Sequence, residues 1–263
     1  MRRASASAKI NLALVVGPRR DDGLHEVVTV LQRIDLADRI ELEPATENSV
    51  TGFAEDTLVK RALDVVSAET NEHWRAKLEK RIPVSAGLGG GSSDAATALA
   101  LAGEGVTHER LRDLAGAIGA DVPFFLESGP QLGTGTGTDL APLSLPQDYW
   151  IVLIVPKGTQ KTSTADVYAR FDRDFGFDER RNDLLERLRR VRRPADLELL
   201  PPNDLASSPV ATKLRQVGAF RADVTGAGPA VYGLFVRERD ARAAAEQLQR
   251  HGRVWITAPA WYG

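Results

Sequence analysis

The densest group of residues able to do chemistry is a run of glycines and serines at positions 87–93, with the order Gly-Leu-Gly-Gly-Gly-Ser-Ser. Glycines let backbone amides turn inward, and the start of a helix adds unpaired N–H groups and partial positive charge. The run opens onto residues 92–102, which are small or apolar on every side and predict a buried helix. This combination favours a phosphate-binding cradle, in which the hydroxyls of Ser92 and Ser93 could contact phosphate oxygens or Mg²⁺. The alternative is a flexible loop in which a serine caps the helix.

A lysine and an asparagine near the start of the chain form a second candidate group. Residues 8–14 alternate in polarity, which predicts a strand. Because residues two apart on a strand share a face at a spacing of about 6.7 Å, Lys9 and Asn11 would project together. A lysine among apolar strand residues is also typical of a sheet edge that avoids aggregation. The pattern alone slightly favours that edge lysine.

Asp121 is the third candidate, in the segment Gly-Ala-Asp-Val-Pro-Phe-Phe. Gly119 is expected to end the preceding helix, and Pro123 disfavours the α conformation at Val122. The sequence therefore predicts Asp121 on a short, stiff turn beside an apolar run. At this position a helix cap and a catalytic carboxylate are about equally plausible.

A last glycine-rich segment, residues 224–229, contains Thr225, Gly226 and Gly228 between two predicted strands. Taken alone it is most simply a glycine-dependent turn. Its importance depends on where the fold places it.

The elements that must position these residues follow from hydrophobic periodicity. Helix signals include Thr107 as an N-cap and Gly119 as a stop for a helix through Leu111 and Ile118. The predicted order is strands at 8–14, 27–34 and 39–43, a helix at 58–66, a strand at 74–82, helices at 92–102 and 108–118, a strand at 149–155, then three helices, two strands, a helix and a strand at 254–257. This order indicates an α+β fold, and a proline-punctuated link near residues 143–148 suggests two domains, 1–147 and 148–263.

Composition excludes several classes of function. The 263 residues carry 34 basic and 36 acidic side chains, and a net charge of −2 argues against a nucleic-acid or anionic-membrane partner. The absence of cysteine excludes disulfides, thiolate nucleophiles and cysteine-ligated metals. Neither a Gly-x-Gly-x-x-Gly string nor a P-loop string occurs, and the N-terminus lacks the features of a signal peptide. A cytoplasmic protein is expected.

Taken together, the segments resemble, in order, the three motifs of the GHMP small-molecule kinases. The residues that carry the resemblance are 8–12 (AKINL), 20–26 (RDDGLHE), 82–83 with 87–96 (GLGGGSSDAA), 119–125 (GADVPFF) and 225–228 (TGAG). The resemblance is greatest to members that phosphorylate a cytidine-diphosphate sugar alcohol in isoprenoid precursor synthesis. It implies a ribosomal-protein-S5-like N-terminal domain, a ferredoxin-like C-terminal domain and an active site in the cleft between them.

The resemblance also implies roles for individual residues. Asp121 would be the general base, with Lys9 as its charged neighbour. The substrate would contact Asn11, His25, Thr164 and Tyr168, with His25 reading the cytosine edge and Tyr168 stacking on the ring. ATP would lie with Mg²⁺ on the residues Pro83, Gly87, Leu88, Gly89, Gly90, Gly91, Ser92, Ser93 and Thr57, with Ser93 as a metal ligand. Thr225, Gly226 and Gly228 would form the third-motif loop.

Three positions depart from the family pattern: Leu24 replaces a tyrosine, Thr57 an asparagine and Thr138 a glutamate. All three fall where ligand specificity is expected. Alternative functions are therefore a GHMP-type kinase for homoserine or mevalonate, or a catalytically silent metabolite sensor on the same fold. An RNA-binding module is disfavoured by the net charge.

Overall fold

A computed structural model describes residues 1–53, 56–159, 164–169, 171 and 176–260. In the N-terminal half the elements are β1 (Arg2–Arg19), β2 (His25–Ala45), β3 (Ser49–Thr51), α1 (Leu58–Thr70), β4 (His73–Glu79), α2 (Gly90–Ala102), α3 (His108–Ile118), β5 (Gln131–Thr134) and β6 (Asp139–Pro142). In the C-terminal half they are β7 (Trp150–Pro156), α4 (Thr164–Ala169), α5 (Phe177–Leu188), α6 (Pro209–Gln216), β8 (Arg221–Val224), β9 (Val231–Phe235), α7 (Glu238–Leu248) and β10 (Gly252–Thr257). Within these ranges no helix combines the length and apolarity needed to span a membrane.

The N-terminal sheet has six strands, in the order β3-β4-β2-β5-β6, with β1 paired to β2. Helices α1, α2 and α3 pack together in one hydrophobic core with β2 and β4. The two strands predicted at 27–34 and 39–43 are one strand, because residues between them continue to pair with β1 (Ser7 opposite Ala37) after a local irregularity. The strand predicted at 74–82 ends earlier, at Glu79, because the amides of Arg81 and Ile82 donate to the carboxylate of Asp38 instead of to a neighbouring strand.

The C-terminal sheet has four antiparallel strands in the order β10-β7-β9-β8. Helices α6 and α7 pack on one face through Leu214, Ala244 and Leu248. The opposite face of the sheet packs toward β1 through Ile151, Leu153 and Tyr232 in a second core. Chain order and pairing are those of the ferredoxin-like strand–helix–strand–strand–helix–strand unit that the family resemblance implies.

Strand β1 lies between the two halves and is buried on both faces from Ala6 to Gly17. Helices α2 and α5 contact it. Burial of Lys9, which is 5% exposed, contradicts the interpretation as a solvated edge lysine. Because a buried charge requires partners, the surroundings of Lys9 decide what it does.

Candidate active site

Helix α2 begins without a side-chain cap. Its N-cap is Gly89 in the left-handed conformation, and its first helical bond runs from the amide of Ser93 to the carbonyl of Gly89. The amides of Gly90, Gly91 and Ser92 therefore have no partner within the helix. No serine acts as a cap, which contradicts the structural alternative for this segment. The helix start is a group of backbone donors with partial positive charge.

Two glycines are required by space as well as by conformation. Gly87 has φ +82°, and a Cβ there would lie 2.5 Å from the carbonyl oxygen of Thr225. Gly89 has φ +69°, and its Cβ would lie 2.8 Å from Cζ of Phe125 and 3.1 Å from Cγ of Lys9. The glycine run is thus packed tightly between strand β1, the segment after Asp121 and the third-motif loop.

Lys9, Asn11 and Asp121 meet beside this helix start. The ammonium of Lys9 donates to Oδ1 of Asn11 at 2.8 Å and lies 3.7 Å from Oδ2 of Asp121. The backbone amide of Lys9 donates to the carbonyl of Leu88 at 3.0 Å, which fixes strand β1 to the glycine run. The side chain of Lys9 is 6% exposed and that of Asp121 is 50% exposed, so the carboxylate can reach a bound molecule.

Asp121 lies on a turn, as predicted, but the turn is built differently from the expectation. Val122 adopts the α conformation (φ −66°, ψ −43°), which contradicts the effect expected of Pro123. The amide of Val122 donates to the carbonyl of Gly119, and Pro123 occupies the first turn of a short 3₁₀ helix, Pro123–Leu126. This bonded turn outweighs the bias that proline imposes on the residue before it. That helix has Val122 as its N-cap and no side-chain cap, so Asp121 is not a helix cap.

The third-motif loop packs directly against this group. The hydroxyl of Thr225 accepts from the backbone amide of Asn11 at 3.0 Å and lies 3.2 Å from Oδ1 of Asn11. Asn203 holds the loop from behind by donating to the carbonyls of Val224 and Gly226. The segment is therefore more than a simple turn, because it links both halves of the chain at Lys9 and Asn11.

A cavity of about 960 Å³ opens at this point. The predicted site residues that line it are Lys9, Asn11, His25, Pro83, Gly87, Leu88, Gly89, Gly90, Gly91, Ser92, Asp121, Tyr168 and Gly226. Ser93 is buried beneath the wall and Thr57 is exposed just outside it, whereas the neighbours of Thr57, Asp56 and Leu58, do line the cavity. Thr225 and Gly228 support the wall from behind. The side chain of Thr164 lies outside the described residues.

His25 and Tyr168 lie at one part of this cavity. Nδ1 of His25 is 2.9 Å from the carbonyl of Gly17 and must donate to it, so in the neutral ring Nε2 is an acceptor. The ring of His25 lies 5.6 Å from that of Tyr168 and 6.0 Å from that of Phe171. Burial raises the pKa of the Tyr168 hydroxyl, and the negative charge of Asp121 raises it further. Leu24 is 53% exposed and lines the same cavity.

A buried charged group beside α2 is absent from the sequence-based predictions. Lys80 lines the cavity and contacts Asp38 and Asp94, each at 2.5 Å. The pKa of the Asp94 carboxyl is raised to about 7: burial is the largest cause, the charges of Asp38 and Asp56 act in the same direction, and Lys80 opposes the shift. Burial alone would lower the pKa of Lys80, but Asp94 and Asp38 raise it above its ordinary value. A single acid in the otherwise small and apolar stretch 92–102 was the available signal.

Comparison with known proteins identifies the family. The sequence model described as "GHMP kinases N terminal domain" matches residues 57–129, and "GHMP kinases C terminal" matches residues 206–254. A protein named 4-diphosphocytidyl-2-C-methyl-D-erythritol kinase from Desulfitobacterium hafniense (strain Y51) is 35% identical, over 96% of this chain and 93% of that protein. Its namesake from Corynebacterium efficiens is 36% identical, over 95% of this chain and 90% of that protein.

Solved structures agree with the sequence comparisons. A crystal structure of 4-(cytidine 5'-diphospho)-2C-methyl-D-erythritol kinase is 34% identical, with a TM-score of 0.79, and covers 98% of this chain and all of its own. A mevalonate kinase structure, 13% identical with a TM-score of 0.75, shares the fold. The chain therefore has the two-domain GHMP kinase fold and belongs to the 4-diphosphocytidyl-2-C-methyl-D-erythritol kinase family.

Proposed function

We propose that this protein transfers the γ-phosphoryl group of ATP to the 2-hydroxyl of 4-diphosphocytidyl-2-C-methyl-D-erythritol. The observation that carries the proposal is the placement of Lys9 and Asp121 in one cavity with the uncapped start of α2. Phosphoryl transfer asks a protein mainly for positioning and charge stabilisation, and this cavity offers groups for both.

Asp121 is the group proposed to accept the proton of the attacking hydroxyl. Its carboxylate is half exposed to the cavity and is not used as a helix cap. Lys9 is close enough to stabilise negative charge on the attacking oxygen and on the phosphoryl group in transit. Asn11 holds the ammonium of Lys9 through a 2.8 Å hydrogen bond and lies on the same wall of the cavity.

Charge balance explains why the backbone donors and a metal are both needed. Three cationic side chains (Lys9, Arg19, Lys80) and three acidic ones (Asp56, Asp121, Asp166) line the cavity, so side chains alone give no surplus charge for a triphosphate. Among the described residues no cluster of three or more acids or histidines is placed to hold a metal. Ser93, the metal ligand that the resemblance implies, is buried beneath the cavity wall, whereas Ser92 lines the cavity. In this proposal Mg²⁺ is therefore held mainly by phosphate oxygens and water, as is usual for this ion, and Ser92 rather than Ser93 is the hydroxyl that can reach it. Bound Mg²⁺ would neutralise phosphate charge during transfer.

Base recognition is assigned to His25 and Tyr168. Nε2 of His25 is an acceptor in the neutral ring, which suits the exocyclic amino group of cytosine. Tyr168 offers one ring face for stacking, which is worth about 1–3 kcal/mol per base. Leu24 provides only an apolar contact at the position where the family has a second ring.

An assay of ADP release tests the assignment. The cytidyl methylerythritol substrate is expected to support ADP release, while homoserine and mevalonate leave the rate at background. Faster turnover with homoserine or mevalonate would identify that alcohol as the phosphoryl acceptor instead. ATP binding without turnover of any of the three alcohols would indicate a metabolite sensor. A cytoplasmic location, the absence of a nucleic-acid partner and the domain boundary at 147/148 remain predictions.

A further inference from the structure

Strand β1 contains a bulge directly after Asn11. Asn11 pairs with Leu31 and Ala13 with Val30, so Leu12 has no partner on β2. The carbonyl of Leu12 instead accepts from the buried guanidinium of Arg221 at 2.5 Å. A bulge of this kind re-aims the side chains beside it and frees backbone groups that other residues must satisfy.

The carbonyl of Ala13, on the other side of the bulge, accepts from the hydroxyl of Thr29 at 2.8 Å. A threonine hydroxyl has one proton, and a carbonyl can only accept, so this bond uses that proton. The same oxygen lies 2.9 Å from Nδ2 of Asn11 and can only accept from it. Thr29 therefore determines which way the carboxamide of Asn11 faces.

The consequence falls on Lys9. With its NH₂ group held by Thr29, Asn11 turns Oδ1 toward the ammonium of Lys9 at 2.8 Å and toward the hydroxyl of Thr225 at 3.2 Å. A flipped carboxamide would set two donors against each other at Lys9 and displace the ammonium from Asp121. Thr29 lines the cavity but is only 4% exposed, and its hydroxyl is already engaged by the carbonyl of Ala13 and the carboxamide of Asn11, so the protein fixes the orientation before any ligand binds.

We propose that Thr29 is a positioning residue, which places the Lys9 ammonium beside Asp121 by fixing the orientation of the Asn11 carboxamide. This inference rests on the proposed function, in which Lys9 stabilises the transferring group. No motif contains Thr29, and nothing in the sequence alone points to it beyond a hydroxyl within an apolar strand.

Three substitutions test the proposal with the full chain, ATP and the cytidyl substrate. Thr29→Val keeps the shape and removes the hydroxyl, and we expect kcat to fall about tenfold while each KM changes less than about twofold. Thr29→Ser restores the hydroxyl and should restore kcat. Thr51→Val is the matched control, because Thr51 also donates to a strand carbonyl, that of Ala76, but lies away from the cavity, and its kcat should not change. Should Thr29→Val not fold, Thr29→Ala removes the same hydroxyl.

A double-mutant cycle separates positioning from general stability. In an Asn11→Ala background, Thr29→Val should change kcat by less than about twofold, because its effect passes through Asn11. A loss of the same size in both backgrounds, or unchanged kcat in the single variant, would overturn the inference. A wild-type protein that transfers no phosphoryl group to any of the three alcohols would instead overturn the proposed function.

Discussion

Helices α2 and α3 begin in opposite ways within the same hydrophobic core. Helix α3 is capped by Thr107, whose hydroxyl accepts from the amide of Arg110, and it carries Glu109 in its first turn. Helix α2 has a left-handed glycine as its N-cap, no side-chain cap and no acid in its first turn. The positive end of α3 is therefore compensated by its own sequence, whereas that of α2 opens toward the cavity.

The contrast separates a helix start that stabilises the fold from one that can bind an anion. Ser92 and Ser93 were available to cap α2, but both lie inside the helix, and Ser93 is buried. Leaving α2 uncapped forgoes the stabilisation of about 1 kcal/mol that a cap typically gives. The free backbone amides at the start of α2 can serve phosphoryl transfer only if a general base for the substrate hydroxyl lies opposite them. In our proposal that base is Asp121.

The largest expected effect on kcat comes from removing the carboxylate of Asp121, the proposed general base. Asp121→Asn keeps the size of the side chain and removes the base, so kcat should fall by about 10²–10⁴-fold with substrate affinity largely retained. Steady-state kinetics with the cytidyl substrate measures this. Turnover near that of the wild type would remove Asp121 from the base role.

A side chain placed at Gly89, the N-cap of α2, should reduce activity somewhat less than the loss of Asp121. A Cβ at Gly89 would clash with Phe125 and Lys9 in a strained left-handed conformation, so Gly89→Ala should shift the loop and lower kcat/KM for ATP by about 10²-fold. Gly116→Ala in α3, where a Cβ meets open space, is the control and should raise stability by up to about 1 kcal/mol without changing activity. If Gly89→Ala and Gly116→Ala had the same kcat/KM for ATP, the start of α2 would have no special role in nucleotide binding.

Stability should depend on pH through α2. The folded protein binds the proton of Asp94 more tightly than the unfolded chain, so this contribution is complete below pH 3.8 and is lost as the pH rises through about 7. Asp94→Asn should remove this dependence, and its unfolding free energy relative to the wild type should rise between pH 5 and pH 8. Urea denaturation at several pH values measures the difference. The same difference at every pH would show that Asp94 does not titrate in this range.

The smallest expected effect is on α3. Thr107→Ala removes the cap and should lower the unfolding free energy by about 0.5–2 kcal/mol with kcat unchanged. Thermal unfolding and the ADP-release assay provide the two readouts. A fall in kcat that exceeds the loss of folded protein would place α3 in the catalytic machinery, against our account.

The sequence alone predicted those features of the fold that depend on neighbouring residues and not on tertiary contacts. Thr107 and Gly119 bound α3 as predicted, because cap chemistry depends on a few consecutive residues. The α+β class also followed from periodicity, whereas the ferredoxin-like arrangement of the C-terminal sheet was implied only by the family resemblance. The prediction of an edge lysine at position 9 was wrong, because both faces of β1 are buried and one of them is covered by the second half of the chain.

The finer parts of the candidate site could not be read from sequence for the same reason. The α conformation of Val122 depends on a bonded turn from Gly119, and the role proposed for Thr29 depends on a bulge in the neighbouring strand. Lys80, Asp38 and Asp94 come from three separate segments and meet only in the folded chain. The resemblance supplied the motif residues, but not the groups that hold them.

The most direct measurement follows the backbone amides of the two helix starts by NMR while Mg²⁺-ADP is added. We expect the resonances of Gly90, Gly91 and Ser92 to shift strongly in a saturable manner, because their free N–H groups would bind phosphate oxygens. Those of His108, Glu109 and Arg110, at the capped start of α3, should stay in place. Saturable binding that leaves Gly90, Gly91 and Ser92 unshifted would contradict the claim that α2 holds the nucleotide.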